Sequence, residues 1–319
     1  MKKSHTIRWV LYHEPIHLFI RTAKAFSEEI EKLTDGRINV EVYTLEEYAQ
    51  KFKNGVVFEP IALINSGEID MSQMQTGIIG VWNAPDFFAL DMPYLFKDHD
   101  HATRVLDGEI GRKMLDSLQD VSPVQGLAFT YSGGFRVLAT DRPVNTTEDL
   151  EGLKLITTAN PVMVETAKKL GCEPLPYMIR DLHSKGKELV SIQGHSVETT
   201  LPRYEYEADT TVQTHIADTK HSMYLTSILI SKDLWNQFDS EDQELIRQAA
   251  RSAAVQERQW SVDEADEYAV NTKRHEELGI TYTKFSDEEL DKMRSVVTPL
   301  YDHYSQFFSA GLIDGIVKS

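Results

Sequence analysis

The run GGFRVLATDRPVNTTEDLEGLKLITTANP, residues 133–161, constrains this chain more than any other segment. Phe135 to Ala139 reads as a strand of aromatic, branched and apolar residues. Pro143 marks a loop, and Thr146 to Leu150 reads as a short capped helix. Leu153 to Thr157 is a second strand, and a new helix begins after Asn160. Strand, helix, strand and helix in immediate succession are the pattern of an α/β sheet with covering helices.

The first half of the chain keeps the same alternation. Ile7 to Leu11 is a short apolar strand, followed by a helix whose Phe19, Ala23, Phe26, Ile30 and Leu33 form one stripe at spacings of three and four. Asp35-Gly36 stops that helix. Ile38 to Tyr43 alternates as a strand, Phe58 to Asn65 is a helix ended by Gly67, and Ile69 to Met74 is the next strand. An aromatic segment, DFFALDMPYLF, reads as a buried loop before a helix that starts near Asp100. Val162, Thr166 and Leu170 form another helical stripe. In the last third, Ser240 and Gln243 look like a capping box that opens a helical pattern running to Leu278 and ending at Gly279. Ser286 and Glu289 repeat the box for a final helix.

With 319 residues and 41% hydrophobic content, the chain can bury one large core or two smaller ones. Its 50 acidic and 33 basic residues give a formal charge of −17, which argues against nucleic acid and anionic membranes, because a phosphate-binding surface needs a basic excess. No apolar run has the length of a membrane span. Cys172 is the single cysteine, so no internal disulfide forms, and its place between a helix end and a strand reads as packing rather than reactivity.

Two motifs suggest metals. His13-Glu14-Pro15-Ile16-His17 matches HExxH, the pattern of a zinc hydrolase. That chemistry needs both imidazoles on one face of a continuous helix, and Pro15 restricts the helix to starting there. Asp98-His99-Asp100-His101 is better read as a helix start with Asp98 or Asp100 as cap than as a metal cluster. Gly133-Gly134 is a lone glycine pair, not a phosphate cradle, and no nucleophile, base and oxyanion donors assemble. No metal, no cofactor and no enzymatic activity are expected.

The phrases GGFR, LKLITTANP and ALDMPYLF together resemble the extracytoplasmic solute-binding proteins of TRAP transporters, the DctP type, over nearly the whole chain. The resemblance implies an α/β, two-lobe periplasmic-binding-protein fold with crossing hinge segments and a long C-terminal lobe-spanning helix. Residues 1–130 with 219–256 would form the first lobe and 131–218 with 257–319 the second, with the ligand in the cleft between them. It also implies a monomer that hands a small molecule to TRAP membrane permease subunits. MKKSHTIRWVLYHEP lacks the apolar core of a signal peptide, so a periplasmic location requires a targeting segment outside this sequence.

Ligand-contact candidates follow from the same resemblance. Arg136 stands where the family carries a cleft-facing arginine, able to hold a carboxylate through paired hydrogen bonds. Glu14, at the entry to the first helix, and the polar set Gln73, Gln75 and Thr76 are first-lobe candidates; His215 lies near a lobe crossing. Ile156 departs from the family phrase LKIR, whose arginine anchors carboxylates. Leu201 stands where the family phrase G-x-x-D-G-x-E-N-P has asparagine, and Glu198 lies nearby. A lost cation and an added carboxylate point to a small amine or amino alcohol such as ethanolamine, held by Glu14 and Glu198 with Trp82, Phe135, Tyr177 and Tyr204 as aromatic faces. The alternative is an organic acid held by Arg136.

Overall fold

The computed structural model describes residues 3–11, 16–52, 60–177 and 188–319. It divides into two units: 1–84 with 103–131 and 225–260, and 85–102 with 132–224 and 261–319.

In the first unit, β1 (His5–Leu11) pairs in parallel with β2 (Ile38–Thr44) along its full length, and with β3 (Met71–Gln75) through Trp9 and Met71. β9 (Met223–Ser231) runs antiparallel to β3, from Met71 opposite Ile230 to Gln75 opposite Thr226. The strand order is β2-β1-β3-β9-β4, the last being β4 (Val124–Thr140). The Ile16–Leu33 helix lays Phe19, Ala23, Phe26 and Ile30 on this sheet, each at most 1% exposed. Trp9 meets Phe26 edge to face at 5.3 Å. On the Ser240–Val270 helix, Ala249, Ala250, Ala253 and Ala254 join the same core, their small side chains allowing close approach. Each large apolar side chain removed from water here contributes roughly 1.5–3 kcal/mol.

In the second unit, β5 (Lys154–Thr158) pairs in parallel with β6 (Glu173–Tyr177) and with β7 (His195–Thr200). β4 lies antiparallel to β7 on one side and to β8 (His215–Asp218) on the other. β10 (Thr281–Lys284) pairs in parallel with β8. The order is therefore β10-β8-β4-β7-β5-β6. Asn160 caps the Pro161–Lys169 helix, its Oδ1 accepting from Val162 N at 2.9 Å. Val162, Thr166 and Leu170 are buried, as their spacing predicts.

Several expectations are corrected. The strand at Phe135–Ala139 is the end of the 17-residue β4, buried along almost its whole length. It continues through Gly133 and Gly134 because both adopt φ near +80°, at +89° and +78°. The long C-terminal helix is capped by Asp239, whose Oδ1 accepts from Asp242 N at 2.9 Å, rather than by Ser240. It stops at Val270. Asn271 then caps a separate Thr272–Leu278 helix through Arg274 N, and Gly279 closes it at φ +66°. Ser286 caps Asp287–Val297, but the Glu289 carboxylate turns to Thr147 N and Oγ1 instead of completing the box. Two further helices follow, Pro299–Tyr304 and Leu312–Lys318.

The sequence-based boundaries also shift. Residues 85–102, placed with the first lobe, belong to the second unit, because hydrogen bonds tie them there: Asp91 to Asn160, Tyr94 N to His221 O, and Pro93 O to Tyr301 Oη. Residues 219–224 join the second unit and 257–260 the first. The chain passes from one unit to the other inside β4, β9 and the Ser240–Val270 helix.

Candidate ligand-binding site

Arg136 leaves β4 opposite Thr200 of β7, and its backbone N donates to Ser222 O at 2.8 Å. The side chain is 1% exposed. Its guanidinium lies 4.1 Å from the centroid of the Tyr224 ring, a cation–π contact suited to a desolvated cation. Nε and Nη2 make no hydrogen bond. A buried guanidinium with unfilled donors is costly, and a planar anion presented to that edge would satisfy both at once.

Around it lies a polar cluster. Glu198 of β7 is 5% exposed; its Oε1 accepts from His221 Nε2 at 2.6 Å and its Oε2 from Thr157 Oγ1 at 2.5 Å. Burial alone would raise this carboxyl. The Arg136 charge and the His221 and Thr157 hydrogen bonds outweigh that and hold it below the usual range. Thr219 Oγ1 meets the other nitrogen of His221 at 2.7 Å.

Asp91 closes the cluster. Its Oδ2 accepts from Asn160 Nδ2 at 2.7 Å, and its Oδ1 has no partner. Burial pushes its carboxyl up to about 7 against the pull of Arg136. A second arginine, Arg203, stands 4.4 Å from the same Tyr224 ring. It pairs with Glu207 and donates to Ser132 Oγ at 2.7 Å.

The other sequence candidates separate. Phe135, half-buried, faces the His99 ring at 5.0 Å, and Tyr177 is buried at the end of β6. Tyr204 is a core residue: fully buried, with its hydroxyl donating to Gln213 O at 2.5 Å. The His215 imidazole is taken by Thr281 across the β8–β10 pair. Ile156 is fully buried in β5, beside Thr157, and faces Leu175 and Val197 on the neighbouring strands. Glu14 and the His13 end of the HExxH motif lie outside the described residues. Of the two candidate caps it is Asp98 that accepts from His101 N, at 2.7 Å. Among the described residues no group of three or more His, Cys, Asp or Glu is placed to hold a metal.

Gln73, Gln75, Thr76 and Trp82 belong to the first unit. There Gln73 Nε2 reaches both carboxyl oxygens of Glu257, at 2.8 and 2.9 Å, and the Thr130 and Thr226 hydroxyls. Burial pushes Glu257 up to about 8 against these hydrogen bonds. Gln75 and Thr76 are buried, Thr76 Oγ1 donating to Leu225 O, and Trp82 is half-buried. Asp91, Asn160, His221 and Glu257 were missed by sequence reasoning. The one available signal was an aspartate inside the apolar phrase ALDMPYLF.

The chain as a whole matches known proteins. The chain belongs to the DctP family, bacterial extracellular solute-binding protein family 7, whose model matches residues 12–307. It is a family of TRAP-transporter solute-binding proteins, not of enzymes. A solute-binding protein of Chromohalobacter salexigens is 26% identical over 300 residues, 92% of this chain and 83% of that one. A TRAP periplasmic solute-binding protein of Ochrobactrum anthropi, solved with a C-terminus bound in its ligand-binding pocket, superposes with a TM-score of 0.82 at 26% identity, covering 99% and 94% of the two chains. Another, from a Polaromonas species and bound to D-erythronate, gives 0.81 at 24% identity over 98% of each chain. No helix among the described residues is long and apolar enough to cross a membrane.

Proposed function

We propose that this solute-binding protein captures an organic acid and that Arg136 takes its carboxylate. The observation carrying this reading is the fully buried Arg136 guanidinium, stacked on Tyr224 with Nε and Nη2 unfilled. A carboxylate fills both donors in one plane and neutralises the charge. The Polaromonas protein is bound to D-erythronate, a carboxylate, and the Ochrobactrum protein holds a C-terminus in its pocket, which supports the reading. The amine alternative needs a spare carboxylate. Glu198 already accepts a hydrogen bond at each oxygen, from His221 and Thr157, and Asp91, whose Oδ1 is open, is pushed up by burial to about 7 and so is a poor anion for an ammonium. Arg203 brings a second guanidinium to the Tyr224 ring, but it is paired with Glu207 and Ser132, so Arg136 is the guanidinium offered to a ligand.

On this reading the protein acts in the periplasm as a monomer and passes its ligand to the TRAP membrane permease. Ligand binding favours whichever conformation offers it more contacts. A thermal-shift screen of carboxylates against amines tests the proposal. A ligand at a hundred times its Kd adds about 2.7 kcal/mol of stability. Carboxylates are expected to raise the melting temperature; a shift by amines alone would sink the idea.

A further inference from the structure

One side-chain amide in the first unit reaches three of the elements that run on into the second. Thr130 of β4 stands beside Tyr131, the last residue before the chain leaves the first unit there. Thr226 of β9 stands beside Leu225, where the chain returns, and Glu257 three residues before Trp260, where it leaves again. Gln73 Nε2 lies 2.8 Å from Thr130 Oγ1, 3.1 Å from Thr226 Oγ1, and 2.8 and 2.9 Å from the two Glu257 oxygens. The two threonine hydroxyls are 2.5 Å apart, and all four residues are at most 1% exposed. Arg258, next to Glu257, ties in a fourth crossing element, the His99–Asp107 helix, through Asp107 at 2.5 Å.

We propose that Gln73 and Glu257 form a proton-dependent clasp on these elements, closed while Glu257 carries its proton and opened at β9 when it ionises.

The hydrogens available decide this. Gln73 Nε2 has two, with four acceptors in reach. With Glu257 protonated, one goes to Glu257 and one to Thr226, and β3, β9 and the long helix are held together. An ionised, buried carboxylate draws a donor to each oxygen, so both Gln73 hydrogens turn to it and Thr226 loses its share. Thr22 Oγ1 bonds Glu257 and lies 3.0 Å from Leu18 O, so its one hydrogen also changes partner with the proton. The groups that face Glu257 from β3, β4 and the Ile16–Leu33 helix are the neutral Gln73, Thr130 and Thr22. The charge acting on it is that of Arg258, itself committed to Asp107 and, at 2.9 Å, to Phe129 O. Burial therefore prevails and pushes the carboxyl up to about 8, so the clasp opens in mildly alkaline solution. β4 runs on to Arg136 and β9 carries Tyr224, so the opening reaches the strands behind that cation–π pair, whatever Arg136 binds.

Amide hydrogen exchange of the ligand-free protein at pH 6.5 and 9, corrected for the intrinsic effect of pH and read by mass spectrometry, tests this. Wild-type peptides carrying Thr226 are expected to lose protection at least about fivefold relative to β1 peptides as pH rises, and those of Glu257→Gln less than about twofold. Unchanged wild-type protection overturns the proposal, as does an equal loss in Glu257→Gln. A loss shared evenly with β1 also overturns it, because that reports a general fall in stability. Should Glu257→Gln not fold, Thr226→Val decides: its β9 is expected to be less protected than wild type at pH 6.5 and to change less than about twofold by pH 9, and a fivefold fall there overturns the clasp.

Discussion

The His221 imidazole and the Glu198 carboxylate form a buried pair, Nε2 to Oε1 at 2.6 Å, with each side chain 4% exposed. The pair fixes Glu198 as part of the wall around Arg136. Removing one member of a buried hydrogen-bonded pair costs about 1–3 kcal/mol, because the other is left unsatisfied. Glu198→Ala is therefore expected to lower unfolding free energy by that order in a urea titration. Glu198→Gln should retain binding of acids; loss of all ligand binding with unchanged stability would show that Glu198 holds ligand directly.

Arg136→Lys keeps the charge but loses the planar fork. Truncating one partner of a buried charged contact costs about 2–5 kcal/mol of binding, and the bidentate part of that is what lysine cannot restore. Affinity for any carboxylate that binds the wild type should fall at least about tenfold by calorimetry. Equal affinity would mean that the anion sits elsewhere.

Glu257 makes stability fall as pH rises from 4.5 towards about 8. Its folded carboxyl sits at about 8, above the ordinary 4.5, because it is buried. The folded state therefore binds the extra proton, and the stability this contributes is lost as pH rises through about 8. Thermal melts from pH 6 to 9 should show a falling midpoint in the wild type, and a flatter profile in Glu257→Gln, as expected where a neutral amide replaces the titrating group. Identical slopes would exclude Glu257 as the source.

Gly133 is required by space as well as by its φ of +89°. A Cβ there would lie 2.2 Å from Thr200 Oγ1 and 2.8 Å from Thr200 Cβ, and Thr200 Oγ1 is held by Ser132 O. Gly133→Ala should cost about 1–3 kcal/mol or more, read as a lowered urea midpoint. Gly279, at φ +66° with open space around it, should tolerate the same change with a smaller loss, since only backbone strain is added.

Asn271 ends the long helix and begins the next. Asn271→Ala removes a cap on Arg274 N and should cost about 1 kcal/mol. An unchanged melting temperature would show that packing alone sets the break.

Much of the local structure could be read from the residues. The Phe19–Ile30 stripe, the Gly36 and Gly67 stops, the Asn160 helix start and the Asp98 cap all depend on spacing or on a side chain within four positions, so short-range chemistry fixes them. The helix break was hidden, because periodicity continues through 271 while the Asn271 side chain competes with the backbone.

The sequence by itself determined the alternating α/β elements, the family resemblance and the place of Arg136. It also showed an isoleucine at 156. Only the tertiary structure decided what the charges there do. Residues 91, 136, 160, 198, 203 and 221 come from two strands, two short helical turns, a helix cap and the segment before β9, far apart in the chain. Whether a carboxylate is spent or a guanidinium unfilled depends on those long-range partners. Glu198, which in sequence suggested a cation site, is already paired, and Arg136 is a buried cation left with open donors.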